Sequence, residues 1–244
     1  MRISIAHLYG ILWFIAHLLI SSTNDVLMKY LGLSLGVYQV VFLRFFFSTL
    51  TLLPFFLYKK ATFSTTRPLL HIVRGVLLFS GITLWCIGLT SGKVALATTI
   101  NFTMPIFVLL LARIFLQESV TKFKLIATCL GLVGVVVALN PLSEVFNPYS
   151  LFLLVSAFIF ATLDIVNKKF ITKEPMINMI FYSSLVTMLC SIPPAIWQWQ
   201  AVTIPTLLIF LILGIGANLI LYCLLKSFAA LLFPLTFSQS QCLP

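Results

Sequence analysis

The sequence predicts an all-α integral membrane protein with about eight transmembrane helices. Of its 244 residues, 61% are hydrophobic and only 8% are charged, whereas a soluble domain carries roughly 25% charged residues. The hydrophobic residues form long unbroken runs. These runs argue against a transmembrane β-barrel, because barrel strands alternate apolar and polar residues. A helix that crosses a bilayer needs about 20 apolar residues, and the runs have that length.

The first five runs follow one another closely along the chain. The first begins after the basic N-terminus and continues as a full span, so no cleaved signal peptide is expected. The third follows Pro68, a residue that suits a helix start. Pro105 lies within the fourth and is expected to kink it, because a proline inside a helix removes one backbone hydrogen bond. The predicted helices lie near 8–30, 37–58, 70–90, 94–116 and 124–140.

Three further runs predict helices near 150–170, 176–197 and 204–226. Pro175 and Pro205 lie at the starts of the last two. The segments between the helices are short and leave no room for a soluble domain.

Lysine and arginine indicate how the helices cross the membrane, because short cytoplasmic loops carry an excess of both. With a cytoplasmic N-terminus, only Lys29 and Lys93 fall at the outer face. The inner face then holds Arg2, Lys59, Lys60, Arg67, Arg74, Lys122, Lys124, Lys168, Lys169, Lys173 and Lys226. The sequence therefore predicts a multi-pass protein of the cell inner membrane, embedded in the lipid bilayer with its N-terminus cytoplasmic. The charges form no basic stripe with interleaved aromatics, which argues against a nucleic-acid partner.

A motif with polar residues occurs twice inside the apolar runs. Ser22–Tyr30 is STNDVLMKY and Thr162–Lys169 is TLDIVNKK, so both contain T-x-D-(V/I)-x-x-K. Around this motif, Ile20–Pro54 aligns with Ile159–Pro193 without a gap. The first copy contains five helices, an odd number, so the second copy enters the membrane in the opposite orientation. Inverted repeats are typical of secondary transporters, whose substrate site lies near the midplane.

The repeat divides the chain into three predicted regions: a first five-helix unit at 1–140, a second, inverted unit at 141–228 and an aberrant tail at 229–244. The second unit has counterparts of only three of the five helices. We expect it to be truncated by a frameshift or an early stop, and a natural eight-helix protein is the alternative.

Asp25 and Asp164 are the leading candidates for substrate binding. A charge at the centre of a membrane helix costs roughly 2.5–3.5 kcal/mol, so intramembrane acids usually face a cavity or a partner. Lys29 and Lys168 lie one turn beyond the two acids, and i,i+4 ion pairs would satisfy both charges. Substrate contact and such an ion pair are both open, and the two can coexist.

Other polar and aromatic residues are candidates for the same site. Arg44 has no acid at i±3 or i±4, which predicts a partner on another helix or a substrate carboxylate, with snorkelling to the outer interface as the alternative. Trp85 and Tyr222 each precede a cysteine at comparable places in the two halves, and lipid-facing packing is their alternative. Asn24 and Asn101 are expected to line a cavity or to form hydrogen bonds between helices.

The remaining motifs limit the classes of function. The five cysteines form no CxxC pair and have no histidine at ligand spacing, so no metal and no cofactor are expected. No G-x-x-x-x-G-K-(S/T), HExxH or G-x-S-x-G motif is present, so neither ATP hydrolysis nor an enzyme is expected. A stripe of small residues in the fifth helix favours close packing, within the chain or in a homodimer. It consists of Ala127, Gly131, Gly134 and Ala138.

Two longer stretches resemble a known family. Phe42–Phe56, FLRFFFSTLTLLPFF, has an arginine early in the second helix. Thr98–Val137 has a proline in the fourth helix, then Glu118 and a glycine-spaced fifth helix. These features resemble the EamA-type transporters of the drug/metabolite transporter superfamily. More narrowly, SSTNDVLMKY, RPLLHIVRGVLLF and LDIVNKKF look like the S-adenosylmethionine uptake transporters of obligate intracellular bacteria. The resemblance covers about residues 8–229.

The resemblance implies a secondary transporter of a small metabolite, with S-adenosylmethionine uptake by alternating access. That substrate carries a sulfonium, an ammonium and a carboxylate. A fixed aspartate in a low-dielectric cavity attracts the cationic groups, and an aromatic face can stack on adenine or face the sulfonium. The alternatives are a transporter of another metabolite and a truncated, non-transporting remnant.

Overall fold

The structure is a computed structural model that describes residues 5–58, 65, 67–92, 94–117, 122–139 and 149–232. The secondary structure in this part of the chain is helical, as predicted. The helices are α1 (Ile5–Gly32), α2 (Val37–Tyr58), α3 (Pro68–Ser91), α4 (Val94–Asn101), α5 (Met104–Phe115), α6 (Lys122–Leu139), α7 (Tyr149–Phe170), α8 (Met176–Trp197) and α9 (Ile204–Leu232).

Seven of the described segments are long and apolar enough to cross a membrane. These seven segments correspond to seven of the eight predicted spans. The remaining predicted span corresponds to α6, which is not among them. This helix occupies the place of the predicted span 124–140, and its described part is 18 residues long with Lys122 and Lys124 in its first turn. The prediction of an all-helical membrane protein is confirmed.

The predicted span 94–116 is broken into α4 and α5. α4 ends at Asn101, and a turn at Phe102 and Thr103 separates it from α5, where Pro105 lies in the first turn. A proline lacks the backbone N–H, and its ring clashes with the carbonyl four residues earlier, which here belongs to Asn101. The kink expected at Pro105 is therefore a full break, one turn before the proline.

The helices form a bundle in which neighbours in space are distant in sequence. α1 packs against α9, α3 against α7 and α8, and α2 against α8 and α9. α4 and α5 both pack on α7. Helices from the beginning and the end of the chain therefore enclose the centre together.

Polar side chains connect these helices through hydrogen bonds in the interior of the bundle. Ser48 on α2 donates to Asn218 on α9 at 2.6 Å and lies 3.0 Å from the Ser184 hydroxyl on α8. Thr187 on α8 donates to the carbonyl of Gly75 on α3 at 3.0 Å. Such interhelical hydrogen bonds, together with small residues, hold membrane helices together because lipid gives no hydrophobic drive for association.

Several predicted features fall outside the described residues: Lys59, Lys60, Lys93, Glu118, the division at 140–141 and the tail from 233 onward. For the stripe of small residues on α6, the structure describes the surroundings of Gly131 and Gly134. A methyl group added at Gly131 or Gly134 would meet nothing within 4 Å in the described part of the chain. A homodimer through this stripe stays a prediction.

Candidate functional site

A cavity of about 150 Å³ lies among the helices at the centre of the bundle. Its charged lining residues are Asp25 from α1, Arg44 from α2 and Asp164 from α7. Aromatic and apolar residues of α3, α5, α7 and α9 form most of the remaining wall. The predicted candidates on the lining are Asp25, Arg44, Trp85, Asn101 and Asp164.

Asp25 interacts with residues of two other helices. The indole Nε1–H of Trp85 donates to its Oδ1 at 2.8 Å, and the guanidinium of Arg44 attracts it electrostatically. The ion pair considered for Asp25 and Lys29 is not formed. Lys29 instead donates to the backbone carbonyl of Gly92, so it ties the end of α1 to the segment after α3. The Asp25 carboxyl therefore remains on the cavity wall.

Arg44 is buried, with 5% of its surface exposed. Its Nη1 donates to the sulfur of Met28, a weak acceptor, and its Nε has no hydrogen-bond partner. The guanidinium forms no ion pair with an acid in the described part of the chain. Arg44 thus brings unsatisfied positive charge to the cavity, where an anionic group could bind it.

Asp164 also lies on the cavity wall. It forms no ion pair with a cation in the described part of the chain. The side chain is half-buried, and its carboxyl accepts no hydrogen bond from any residue in the described ranges. A buried polar group without a partner is costly. The position therefore suits an acid that is satisfied by something entering the cavity.

The break between α4 and α5 brings Asn101 to the cavity as the last residue of α4, with Met104 beside it at the start of α5. Asn24 lies elsewhere. Its side chain is 3% exposed, packs against Gly216 of α9 and donates to the carbonyl of Ile20 at 3.4 Å. Asn24 is therefore a contact between α1 and α9.

Tyr222 also lies outside the cavity lining. Its ring is 5.8 Å from that of Trp13 in an edge-on arrangement, and 36% of its surface is exposed. In the gapless register that relates Asp25 to Asp164, Leu224 is the counterpart of Trp85, and Leu224 does line the cavity. Two residues correspond to about 200° around a helix, so matching Tyr222 to Trp85 selects the opposite face of α9.

Of the lining residues that were not predicted, four lie at helical spacing from the two aspartates: His17, Ser21, Phe160 and Asn167. Helical spacing is the signal that could have identified them. His17 and Ser21 precede Asp25 by eight and four residues, and Phe160 and Asn167 flank Asp164 by four and three. Residues at these intervals share one face of a helix.

Comparisons with known proteins agree with this architecture. The model of the EamA-like transporter family matches residues 8–140. The chain is 48% identical over 221 residues to an S-adenosylmethionine uptake transporter of Rickettsia bellii, covering 90% of this chain and 76% of that protein. It is 30% identical over 149 residues to a riboflavin transporter of Brucella anthropi, covering 59% of this chain and 52% of that protein.

A solved crystal structure shares the fold at 19% sequence identity. The TM-score is 0.62, over 91% of this chain and 88% of the other. The family match covers more than half of the chain, and the Rickettsia relative is matched over most of its length. This multi-pass membrane protein therefore belongs to the EamA-like transporter family.

Proposed function

We propose that this protein takes up S-adenosylmethionine across the cell inner membrane by alternating access. The observation that carries the proposal is the charge of the central cavity. Its charged lining residues are the acids Asp25 and Asp164 and the arginine Arg44. S-adenosylmethionine has the complementary set of charges, a sulfonium and an ammonium with one carboxylate.

The part of the cavity lined by Arg44 and Asp25 suits the amino-acid end of this substrate. Arg44 offers its unsatisfied Nε–H to a carboxylate, and a charge-assisted hydrogen bond of this kind is among the stronger ones. Asp25 stands near Arg44 on the same wall and is oriented by Trp85. It would accept from the ammonium. A zwitterion placed here would satisfy both charges.

The relatives support the choice of substrate. The matched protein of Rickettsia bellii is named an S-adenosylmethionine uptake transporter. The riboflavin transporter of Brucella anthropi is matched over a shorter part of the chain and at lower identity. Riboflavin is uncharged, so a cavity with three charged side chains is a poor match for it.

The arrangement of helices supports alternating access between inverted halves. Exchanging α1 with α7, α2 with α8 and α3 with α9 converts the contact of α1 with α9 into that of α7 with α3, and both contacts exist. His17 on α1 bonds to the carbonyl of Ile220 on α9 at 3.0 Å, and Ser156 on α7 bonds to the carbonyl of Gly81 on α3 at 2.7 Å. His17 and Ser156 are separated by the same interval as Asp25 and Asp164, and so are Gly81 and Ile220. The two bonds are therefore equivalent in the repeat.

The size of the cavity also fits a mechanism with movement. Sites for small molecules usually measure about 300–1,000 Å³, and the cavity has about 150 Å³. A metabolite of nucleoside size would therefore need the halves to separate. We propose that rocking of α1–α6 against α7–α9 provides this opening.

Uptake of radiolabelled S-adenosylmethionine by a bacterial host that expresses the chain tests the proposal. Wild type should exceed the vector control, and excess unlabelled riboflavin should not compete. Asp164→Asn should abolish uptake, whereas Lys169→Gln, which removes an exposed charge from the same helix, should not. Uptake at the level of vector, with the protein present in the membrane, would reject the proposed function.

A further inference from the structure

One face of α7 presents three different chemical groups to the cavity. Phe160, Asp164 and Asn167 follow one another at helical spacing and all line it. The Phe160 ring lies 6.5 Å from that of Trp85, at 65°. An aromatic surface, a carboxyl acceptor and a primary amide are therefore placed along a single strip.

Arg74 determines which way the amide of Asn167 is turned. Arg74 is fully buried on α3, its Nε donates to Asn167 Oδ1 at 2.9 Å, and its Nη1 donates to the carbonyl of Met179 at 2.8 Å. A guanidinium only donates hydrogen bonds, so the atom of Asn167 that meets it must be the oxygen. The amide nitrogen, a donor, is thereby the free end.

This nitrogen has no acceptor. Asn167 is fully buried, and its Nδ2 has no hydrogen-bond partner. The carboxyl of Asp164, three residues earlier, lacks a donor among the described residues. Buried polar groups are usually hydrogen-bonded. A ligand that places an acceptor against Asn167 and a donor against Asp164 would satisfy both.

We propose that the strip of Phe160, Asp164 and Asn167 binds the adenine ring of the substrate. Asn167 Nδ2 donates to a ring nitrogen, Asp164 accepts from the exocyclic amine while its negative charge attracts the sulfonium through the low-dielectric cavity, and Phe160 packs against the ring. The inference rests on the proposed function, in which Arg44 and Asp25 bind the amino-acid end of the substrate. It gives the adenine end a binding site of its own.

The chemistry of the substrate selects adenine for this strip. The amino-acid end also carries a donor beside an acceptor, but Arg44 and Asp25 hold it in the proposed function, and a sulfonium offers neither. Adenine presents an acceptor nitrogen beside its N6 amine. Aromatic side chains stack on bases readily. In this scheme Arg74 is a positioning residue that touches Asn167 and not the ligand.

Competition with base-modified substrate analogues tests the inference. Inhibition of labelled S-adenosylmethionine uptake is measured for the 1-deaza, 7-deaza and N6,N6-dimethyl analogues. For wild type, one deaza analogue and the dimethyl analogue should each compete about tenfold less well than unlabelled substrate. For Asn167→Leu, that deaza analogue and the unlabelled substrate should compete equally. Asn178→Leu, which removes a buried amide outside the cavity lining, should keep the tenfold difference.

Arg74→Lys tests the positioning role, because it keeps a buried cation but loses the planar donor set. It should reduce the discrimination against the deaza analogue, an effect that a loss of folded protein alone would not produce. If wild type treats both deaza analogues like the substrate, the inference is overturned, whether or not the variants fold. Equal discrimination by wild type and Asn167→Leu also overturns it. If wild type transports no S-adenosylmethionine, the proposed function fails first.

Discussion

The residue that best shows how this protein keeps a charge inside a membrane is Asp25. A carboxylate there is costly, and the nearest cation along the helix, Lys29, bonds elsewhere. The indole of Trp85 and the field of Arg44 stabilise Asp25 instead, from two other helices. Because those partners leave one carboxyl oxygen without a direct bond from them, the acid remains available to a ligand.

Trp85→Phe should raise the apparent KM for uptake about tenfold or more, because it removes one hydrogen bond to a charged group, worth about 1.5–3 kcal/mol. The aromatic wall would be kept. Trp13→Phe is the matched control, since Trp13 packs against Tyr222 away from the cavity. Concentration-dependent uptake measures both variants. Equal KM values for the two would show that the indole N–H has no part in binding.

At the scale of helices, two crossings determine how closely the halves approach. On α9, a Cβ at Gly214 would lie 2.6 Å from the backbone nitrogen of Ser48 and 2.7 Å from the carbonyl carbon of Phe47. On α3, a Cβ at Gly75 would collide with Val186, beside Thr187. Gly75 and Gly214 are separated along the chain by the same number of residues as Asp25 and Asp164, and so are Ser48 and Thr187. Both crossings therefore place glycine against the neighbouring helix at the equivalent position.

Gly214→Ala should destabilise the protein by about 1–3 kcal/mol, the usual cost of overpacking, because backbone of α2 cannot move aside. Gly131→Ala is the control, since open space surrounds that glycine among the described residues. Thermal unfolding of the purified protein, followed by fluorescence-detected gel filtration, measures both. A melting temperature of Gly214→Ala equal to that of wild type would mean that α2 and α9 are not in close contact.

At the scale of the whole molecule, the distribution of charge implies an orientation in the membrane. The described cations Arg67, Lys168 and Lys173 lie at one end of the bundle, at the start of α3 and the end of α7. Gln198 and Ala201 lie in the segment between α8 and α9, one span away. Under the proposed topology the first end faces the cytoplasm.

Labelling of single cysteines tests that topology. In a cysteine-free background, Ala201→Cys should react with a membrane-impermeant maleimide on intact cells, and Lys173→Cys should react only after the membrane is permeabilised. Both residues are exposed and lie in connecting segments. The reverse pattern would place the N-terminus outside, and labelling of both on intact cells would contradict the span between them.

The two acids of the site can be identified from the residues alone, because a charge inside an apolar run stands out and because it occurs twice. Arg44, Trp85 and Asn101 are candidates on other grounds, as a lone charge, an aromatic ring and an amide inside apolar runs, and they line the cavity with the two acids. Asn167 cannot be identified in this way. It takes the place of Met28 in the repeat, so the motif gives no hint of its role, and its orientation depends on Arg74, which is distant in sequence.

The sequence by itself determined seven membrane-spanning segments and, to within a few residues, most of their bounds. In lipid, backbone groups must be satisfied within each segment, so an apolar run of about 20 residues can form little except a helix. Only the tertiary structure decided which face of each helix lines the cavity, why Leu224 is there and Tyr222 is not, and where α4 gives way to α5. The physical reason is that lipid and protein interior are similarly apolar, so hydropathy does not distinguish a side chain that faces one from a side chain that faces the other.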